Sequence, residues 1–318
     1  MNKAFSEIAS TVCLYCCLFI VESCDIYQPH PDEQSSIDST HPGNGIGRAG
    51  YPDWSPTGER LAFVRDSLIC LYYFSDKHID TVTIGTEPNF SPDGSRLTFE
   101  RDRKIYWIDL TTKQEVYISD GITPNWSANG KWIAFADKNA SRLLTDATFI
   151  SGQPSIDGGL PYFDFDSSKT KRIFVSNYDS LFTWAKLSLF SPVWALHDSV
   201  LLFSSEFGIW KVKSTGGRAV YFASNFAAGN SKGISKLNLS GGYSGQQRWD
   251  EKTRRVVSWE FVLNGEGSTP EILITNYDTG YGGGGLMGWV SDPCWSPDGQ
   301  RIAYFDRGSI QFWSFPFH

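Results

Sequence analysis

The sequence predicts an all-β fold, a β-propeller of four-stranded antiparallel blades, and three observations carry that prediction. Helix signals are scarce: beyond the N-terminus no window sustains an i, i+3, i+4, i+7 apolar stripe, while 30 Gly and 15 Pro punctuate short apolar runs. The aromatic content, 22 Phe, 14 Tyr and 12 Trp against 2 Met, suits sheet packing better than helical bundles. The third observation is a motif that recurs at fixed spacing, the mark of a repeat architecture.

The motif is clearest from Pro88 to Trp107, where Pro88-Asn89-Phe90-Ser91-Pro92-Asp93-Gly94 is followed by Leu97, Phe99 and Ile105-Tyr106-Trp107. In Ser91-Pro92-Asp93-Gly94 each residue suits its place in a type I turn closed by a left-handed Gly, so two antiparallel strands should flank it. Leu97 and Phe99 alternate with polar neighbours, the period-2 pattern of a half-buried strand.

Taking the aromatic before the turn as the origin, copies start at Trp54, Phe90, Trp126, Trp194 and Trp295, with Trp249 and Phe163 as weaker members; the first three are 36 residues apart. Seven residues on stand Leu61, Leu97, Ile133, Leu201 and Ile302, and nine on stand Phe63, Phe99, Phe135, Phe203 and Tyr304. A third strand opens fifteen residues on at Ile69, Ile105, Ile209 and Ile310, and a fourth follows at Thr81 to Ile84, Glu115 to Ser119 and Arg218 to Ala223. The turn glycines Gly58, Gly94, Gly130 and Gly299 are the structural positions that this chemistry constrains most, whereas Ala195-Leu196-His197-Asp198 and Asp250-Glu251-Lys252-Thr253 have lost the motif. Four short strands per unit, repeated radially, is a propeller blade. Counting every start gives seven blades, the favoured number; six is the alternative, if the unit at Phe163 is an insertion within its neighbour.

Residues 1 to 24 read as an export signal: Lys3, an apolar run from Ile8 to Val21, then Val21-Glu22-Ser23-Cys24. The run is shorter than the ~20 apolar residues that cross a bilayer. Its ending resembles a bacterial lipoprotein signal, which implies lipidation of Cys24; plain secretion with that Cys removed is the alternative. Cys13, Cys16 and Cys17 fall inside the signal, so their spacing is not read as a metal or redox site, and Cys70 and Cys294 are expected as buried free thiols. Residues 25 to 46, polar and rich in Pro, Ser, Asp and Gly, read as a flexible tether, which leaves 47 to 318 for the propeller.

The segment Pro52-Asp53-Trp54-Ser55-Pro56-Thr57-Gly58, continued by Leu61-Ala62-Phe63, and its partners through Pro293 to Tyr304 are similar to the TolB-like, WD-repeat-like propeller repeat of bacterial envelope proteins. The resemblance covers roughly residues 47 to 318, and it implies an envelope protein whose ring serves as an interaction platform, since the repeat identifies a fold more than an activity.

Other classes find little support. The net charge of −7 is spread along the chain and its one basic run, Lys169 to Arg172, is short, so a nucleic-acid partner is not expected. The five His, His30, His41, His78, His197 and His318, fall in tether, loops, turn and terminus, away from inner strands. Asp164-Phe165-Asp166 lacks the Gly and Glu of a calcium loop, and Gly280 to Gly285 lacks the residues that would make it a phosphate cradle. No metal, cofactor or catalytic set is therefore expected, and the chain is expected to act as a monomer that binds an envelope protein or peptide and meets the membrane through its lipid. The alternative is a hydrolase or lyase acting on a glycan or lactone in the channel. Partner contacts are placed on the two longest connections, Ser151 to Leu160 and Ser224 to Tyr243, read as blade-to-blade links, with Phe226 and Tyr243 as anchors.

Cys24→Ala should shift the protein from the membrane to the soluble fraction, because nothing else after the signal is apolar enough to anchor it. Mass spectrometry of the mature N-terminus decides: any terminus other than a lipid-modified Cys24 removes the lipoprotein reading.

Overall fold

The structure, a computed structural model, describes residues 36–37, 50–140, 142–143, 149–150, 158–178, 189–205, 208–223, 244–264, 267–279, 282–287, 290–306 and 309–314. It begins with a two-residue strand, β1 (Ser36–Ile37), whose place is in the last blade. Blade one is β2 (Gly50–Trp54), β3 (Arg60–Arg65), β4 (Leu68–Tyr73) and β5 (Ile79–Ile84); blade two is β6 (Thr86–Phe90), β7 (Arg96–Arg101), β8 (Lys104–Asp109) and β9 (Glu115–Asp120). In blade three, β10 (Ile122–Trp126) and β11 (Trp132–Ala136) are followed by a separate hairpin of β12 (Arg142–Leu143) and β13 (Phe149–Ile150), and only then by β14 (Gly159–Asp164) and β15 (Lys169–Phe174). Blade four is β16 (Phe190–Ala195), β17 (Val200–Ser205), β18 (Gly208–Lys213) and β19 (Val220–Ala223), and blade five is β20 (Ser244–Asp250), β21 (Arg255–Asn264), β22 (Gly267–Asn276) and β23 (Gly282–Met287). Blade six is β24 (Val290–Trp295), β25 (Arg301–Asp306) and β26 (Ser309–Ser314), completed by β1, with Ser36 opposite Gln311 and Ile37 opposite Ile310. The ring is closed by residues from the segment read as a tether.

The blades number six, not seven. Phe163 does not open a blade: it lies in β14 and pairs with Ile133 of β11 and Thr170 of β15, which makes it part of the third strand of blade three. The expectation went astray because the insertion with the β12–β13 hairpin displaces that third strand beyond the usual fifteen-residue offset. For the same reason Ser151 to Leu160 is not a blade-to-blade connection but leads from the second to the third strand of one blade. In an antiparallel sheet both kinds of connection leave on the same face, opposite the turns between first and second strands.

Among the described residues seven apolar clusters hold the ring, each shared by two adjacent blades, and two of them lie between blades three and four. Leu61 and Phe63 of β3 join Cys294, Ile310 and Phe312 of blade six, while Ala62 and Val64 of the same strand join Phe90, Leu97 and Phe99 of blade two. Second strands are therefore buried on both sides, and β7 is buried from Leu97 to Glu100, its polar residues included. The half-buried reading of its alternation is corrected on this point: the blade has a neighbour on each face, and Thr98 meets burial by donating from Oγ1 to the Tyr106 carbonyl at 2.8 Å. The aromatics at the repeat origin fill the wedges. Trp54 stacks on Phe74 at 5.0 Å and meets Phe312 of blade six edge-on, and Trp126 stacks on Phe165 at 5.2 Å. Cys70 and Cys294 are buried and unbonded to each other.

The turns between first and second strands are closed by Gly58, Gly94, Gly130 and Gly299 with φ of +74°, +71°, +72° and +71°. Each donates its N–H to the carbonyl of the Ser that opens the turn, at 2.8 to 3.0 Å. Neighbouring turns also touch, since a Cβ on Gly94 would lie 3.4 Å from Pro56 and one on Gly130 3.3 Å from Pro92. Gly94→Val should thus cost about 2–4 kcal/mol, from a β-branched residue forced to positive φ and from the contact with Pro56. Thermal melts of the two proteins provide the measurement; an unchanged midpoint would contradict the turn geometry.

Candidate functional site

The inner strands form a closed circuit, β2 against β6, β6 against β10, β10 against β16, β16 against β20, β20 against β24, and β24 against β2. Five of them carry the same four-residue pattern, any residue, Pro, a variable residue and the aromatic: Tyr51-Pro52-Asp53-Trp54, Glu87-Pro88-Asn89-Phe90, Thr123-Pro124-Asn125-Trp126, Ser191-Pro192-Val193-Trp194 and Asp292-Pro293-Cys294-Trp295. Blade five has Gln246-Gln247-Arg248-Trp249 instead. Pro lacks the N–H that a ladder needs, so the pairing shifts register there and the residue before Pro turns left-handed. Tyr51, Glu87, Thr123, Ser191 and Asp292 have φ between +47° and +54°. Non-Gly residues in this region are strained by about 1–3 kcal/mol each, and such strain collects at functional positions.

The variable residue before the aromatic ties blade to blade. Asp53 accepts the Phe90 amide at 2.7 Å and Asn89 Nδ2 at 3.2 Å; Asn89 accepts the Trp126 amide at 2.7 Å; Asn125 accepts the Trp194 amide at 3.2 Å. Across the closing seam the Trp54 amide reaches Cys294. The remaining two places are held by Val193 and Arg248, and Arg248 Nε stands 3.8 Å from Asp53 Oδ1.

Burial governs the acids of this region. Burial pushes Asp53 up to about 6, against the opposing pull of Arg248 and of the bonds from Phe90 and Asn89. Asp292 is pushed up to about 7, again by burial first and also by the nearby Glu87 carboxylate, although the Ser291 hydroxyl, the Tyr51 amide and Arg248 pull the other way. Burial likewise raises the Cys294 thiol well above its ordinary value.

A cavity of about 230 Å³ opens where the inner strands meet the first-to-second-strand turns. Its wall includes Asp53, Asn89, Asn125, Val193, Arg248 and Cys294, one from each blade, with Trp126, Trp194, Trp249 and Trp295 behind them and Ala128 and Glu251 from two turns at the rim. The rim is least regular at blades four and five. Asp198 receives the amides of Ala128 and Asn129 at 2.7 and 2.9 Å, and Glu251 receives the Trp249 indole N–H at 2.6 Å and the His197 amide at 3.2 Å.

Cys24, Phe226 and Tyr243 lie outside the described residues, as do His30, His41 and His318. The turn glycines stand on the rim face without lining the cavity. Among the described residues no group of three or more His, Cys, Asp or Glu is arranged to hold a metal ion. The inner-strand set escaped the sequence reading, which scanned offsets after the aromatic and counted His in search of convergent groups. The signal lay one and three residues before the aromatic, where Asp53, Asn89, Asn125 and Arg248, then Glu87 and Asp292, recur at constant offsets.

No protein-family model matches the chain, and no curated protein matches it. Solved structures do. A putative TolB from Agrobacterium tumefaciens superposes with a TM-score of 0.57 at 15% identity, over 86% of this chain and 92% of that one. A gluconolactonase from Xanthomonas campestris gives 0.57 at 14% identity, over 85% and 86%. The β-propeller domain of Swd1 from Myceliophteria thermophila gives 0.55 at 13%, over 88% and 99%. The sheets define the class, a six-bladed β-propeller, and the likeness in fold to TolB-like and WD-repeat-like rings agrees with it. At these identities it reaches no further than fold.

Stability should fall as pH rises. Asp53 and Asp292 hold protons more tightly in the folded ring than in the unfolded chain, so the folded state binds more protons from about pH 4 to about pH 7, and the stability present below that window is lost across it. The melting temperature should drop between about pH 4 and about pH 7, and Asp292→Asn should flatten the drop, with the full effect of that one acid about 4 kcal/mol at most. A wild-type midpoint equal at both ends of the range would refute the burial of these acids.

Proposed function

We propose that the chain is an exported cell-envelope propeller that binds a protein partner at the cavity on its first-to-second-strand turn face, tethered to the membrane through a lipid on Cys24. The observation that carries this reading is the way the inner-strand polar groups are used. Asp53, Asn89 and Asn125 direct their oxygens to the next blade's amide, so the polar circuit braces the ring and the exposed chemistry lies at the mouth. The mouth combines Trp249, Arg248 and Glu251 in a concave surface on a rigid scaffold, a composition suited to recognition. The likeness in fold to a putative TolB and to Swd1 is consistent with it, as is the lipoprotein-type N-terminus.

The second reading, a lactone or glycan enzyme, draws on the likeness to a gluconolactonase and on Asp292, whose proton is held near neutrality as general acids require. It is the weaker of the two because Asp292 and Glu87 stand outside the cavity lining.

Ala128→Arg fills the mouth from an exposed turn position while leaving the core and the Ala128 amide bond to Asp198 in place. The variant should keep the wild-type melting temperature and lose capture of an envelope protein that the wild type retains in pull-down. Undiminished capture would move the interface elsewhere, and turnover in a parallel lactone and glycoside screen, abolished by the same substitution, would establish the second reading instead.

A further inference from the structure

The direction of β1 fixes where the tether joins the ring. In every blade the first strand runs toward the first-to-second-strand turn, so the fourth runs away from that face. In blade one Ile79, at the start of β5, is opposite Tyr72, and Ile84, at its end, is opposite Leu68. β1 takes the fourth-strand place in blade six and keeps this direction. It is antiparallel to β26, whose last residue, Ser314, lies opposite Arg301 beside the turn from Ser296 to Gly299. Because Ser36 is opposite Gln311 and Ile37 opposite Ile310, Ile37 is the end farther from that turn. The chain therefore enters β1 from the face on which the cavity opens.

Residues 25 to 35 are the whole of the sequence between Cys24 and β1. A chain of that length spans at most ~40 Å. About 10 Å of it is used along the outer edge of blade six, from the level of Gln311 to that of Ser314, which leaves at most ~30 Å between the turn face and the bilayer. Presenting the opposite face would first require a reversal of about four residues and then a passage back along β1. We propose that the cavity mouth faces the membrane that anchors the chain, and that its occupant is an extended juxtamembrane segment of a second membrane-anchored envelope protein. The inference rests on the lipid at Cys24 and on the mouth as the binding face, and it adds the orientation of the ring and the class of partner. A gap of this size is about the width of one small folded domain, and a coil of the tether's length averages only ~20 Å, so a bare segment of chain is accommodated where a domain is not. The cavity of about 230 Å³ with its border of four Trp suits the apolar side chains that such a segment presents. Lipid headgroups are the poorer occupant, because a chain of net charge −7 is not drawn to an anionic surface.

The lipidated full chain is reconstituted on vesicles of phosphatidylethanolamine and phosphatidylglycerol that carry an acceptor-labelled lipid. A donor fluorophore is placed on Ser95→Cys, exposed at the turn face of blade two, or on Lys104→Cys, exposed at the opposite end of the same blade; Cys70 and Cys294 are buried and stay unlabelled. Energy transfer should be about twofold or more stronger from Ser95→Cys, because the two ends of a blade stand ~20 Å apart. Inserting about twenty Gly and Ser residues after Asp25 should shrink the difference, since it more than doubles the tether. Equal transfer from the two positions, stronger transfer from Lys104→Cys, or a difference that the longer tether leaves unchanged would each overturn the orientation while the anchor stands. Failure of the wild type to float with the vesicles would overturn the anchor and the orientation together. The occupant is read separately, with a photo-cross-linking residue at the exposed rim position Ala128 in intact cells. It should capture protein peptides that lie within about a dozen residues of a membrane-spanning segment or a lipidated Cys, the ~40 Å that such a chain can cover. Capture of lipid, capture of peptides remote from any anchor, or no capture beyond that of the same residue at Lys104 would overturn the juxtamembrane partner.

Discussion

At four of the six seams the amide of the aromatic residue near the end of an inner strand is captured by a side chain of the neighbouring blade, and this capture is the contact on which the ring depends. In an open sheet such an edge would be left to water or to another chain. Here the wedge is closed from the inside by one side chain from each of blades one, two, three and six, as when Asp53 receives the Phe90 amide at 2.7 Å. The same residue pattern supplies the aromatic that fills the wedge just outside, so hydrogen bonding and apolar burial are set by adjacent positions. The Pro that precedes them keeps the inner strand out of the ladder for one residue, and the bulge that results aims the variable side chain across the seam.

This arrangement separates what braces the ring from what varies. The seams between blades one and two, two and three, and three and four use an acid or a carboxamide, and the first three turns keep Ser and Gly. Blades four and five depart from the pattern together: Val193 and Arg248 replace the acceptors, and the turns at Leu196 to Asp198 and at Asp250 to Thr253 lose the Ser-Gly frame. Local departures from a repeat mark where a scaffold is released from structural duty, and here inner strand and rim are released on the same side of the mouth. The acids left in the interior carry the consequence of that closure, since burial without full compensation holds Asp292 near neutrality.

Turn chemistry and strand spacing were readable along the chain because both are local. Ser91-Pro92-Asp93-Gly94 specifies its conformation through four residues, and the offsets of Leu97, Phe99 and Ile105 follow from strand length. Blade number was harder, because it turns on which strands pair: Phe163 has the hydrophobicity of an inner strand, and only its pairing with Ile133 places it third in its blade. The alternation in β7 likewise reads as one buried face until the second neighbouring blade is present.

The sequence by itself determined the repeat, the turn type, the all-β class and the aromatic positions that become blade wedges, since each depends on residues close together in the chain. Tertiary structure alone decided that the ring has six blades, that Ser36–Ile37 completes the last of them, and that Asp53, Asn89, Asn125, Val193, Arg248 and Cys294 converge on one cavity. The blade-to-blade bonds that these residues make span 36 to 69 positions along the chain, and what brings the six together is ring closure, a geometric condition on all blades at once.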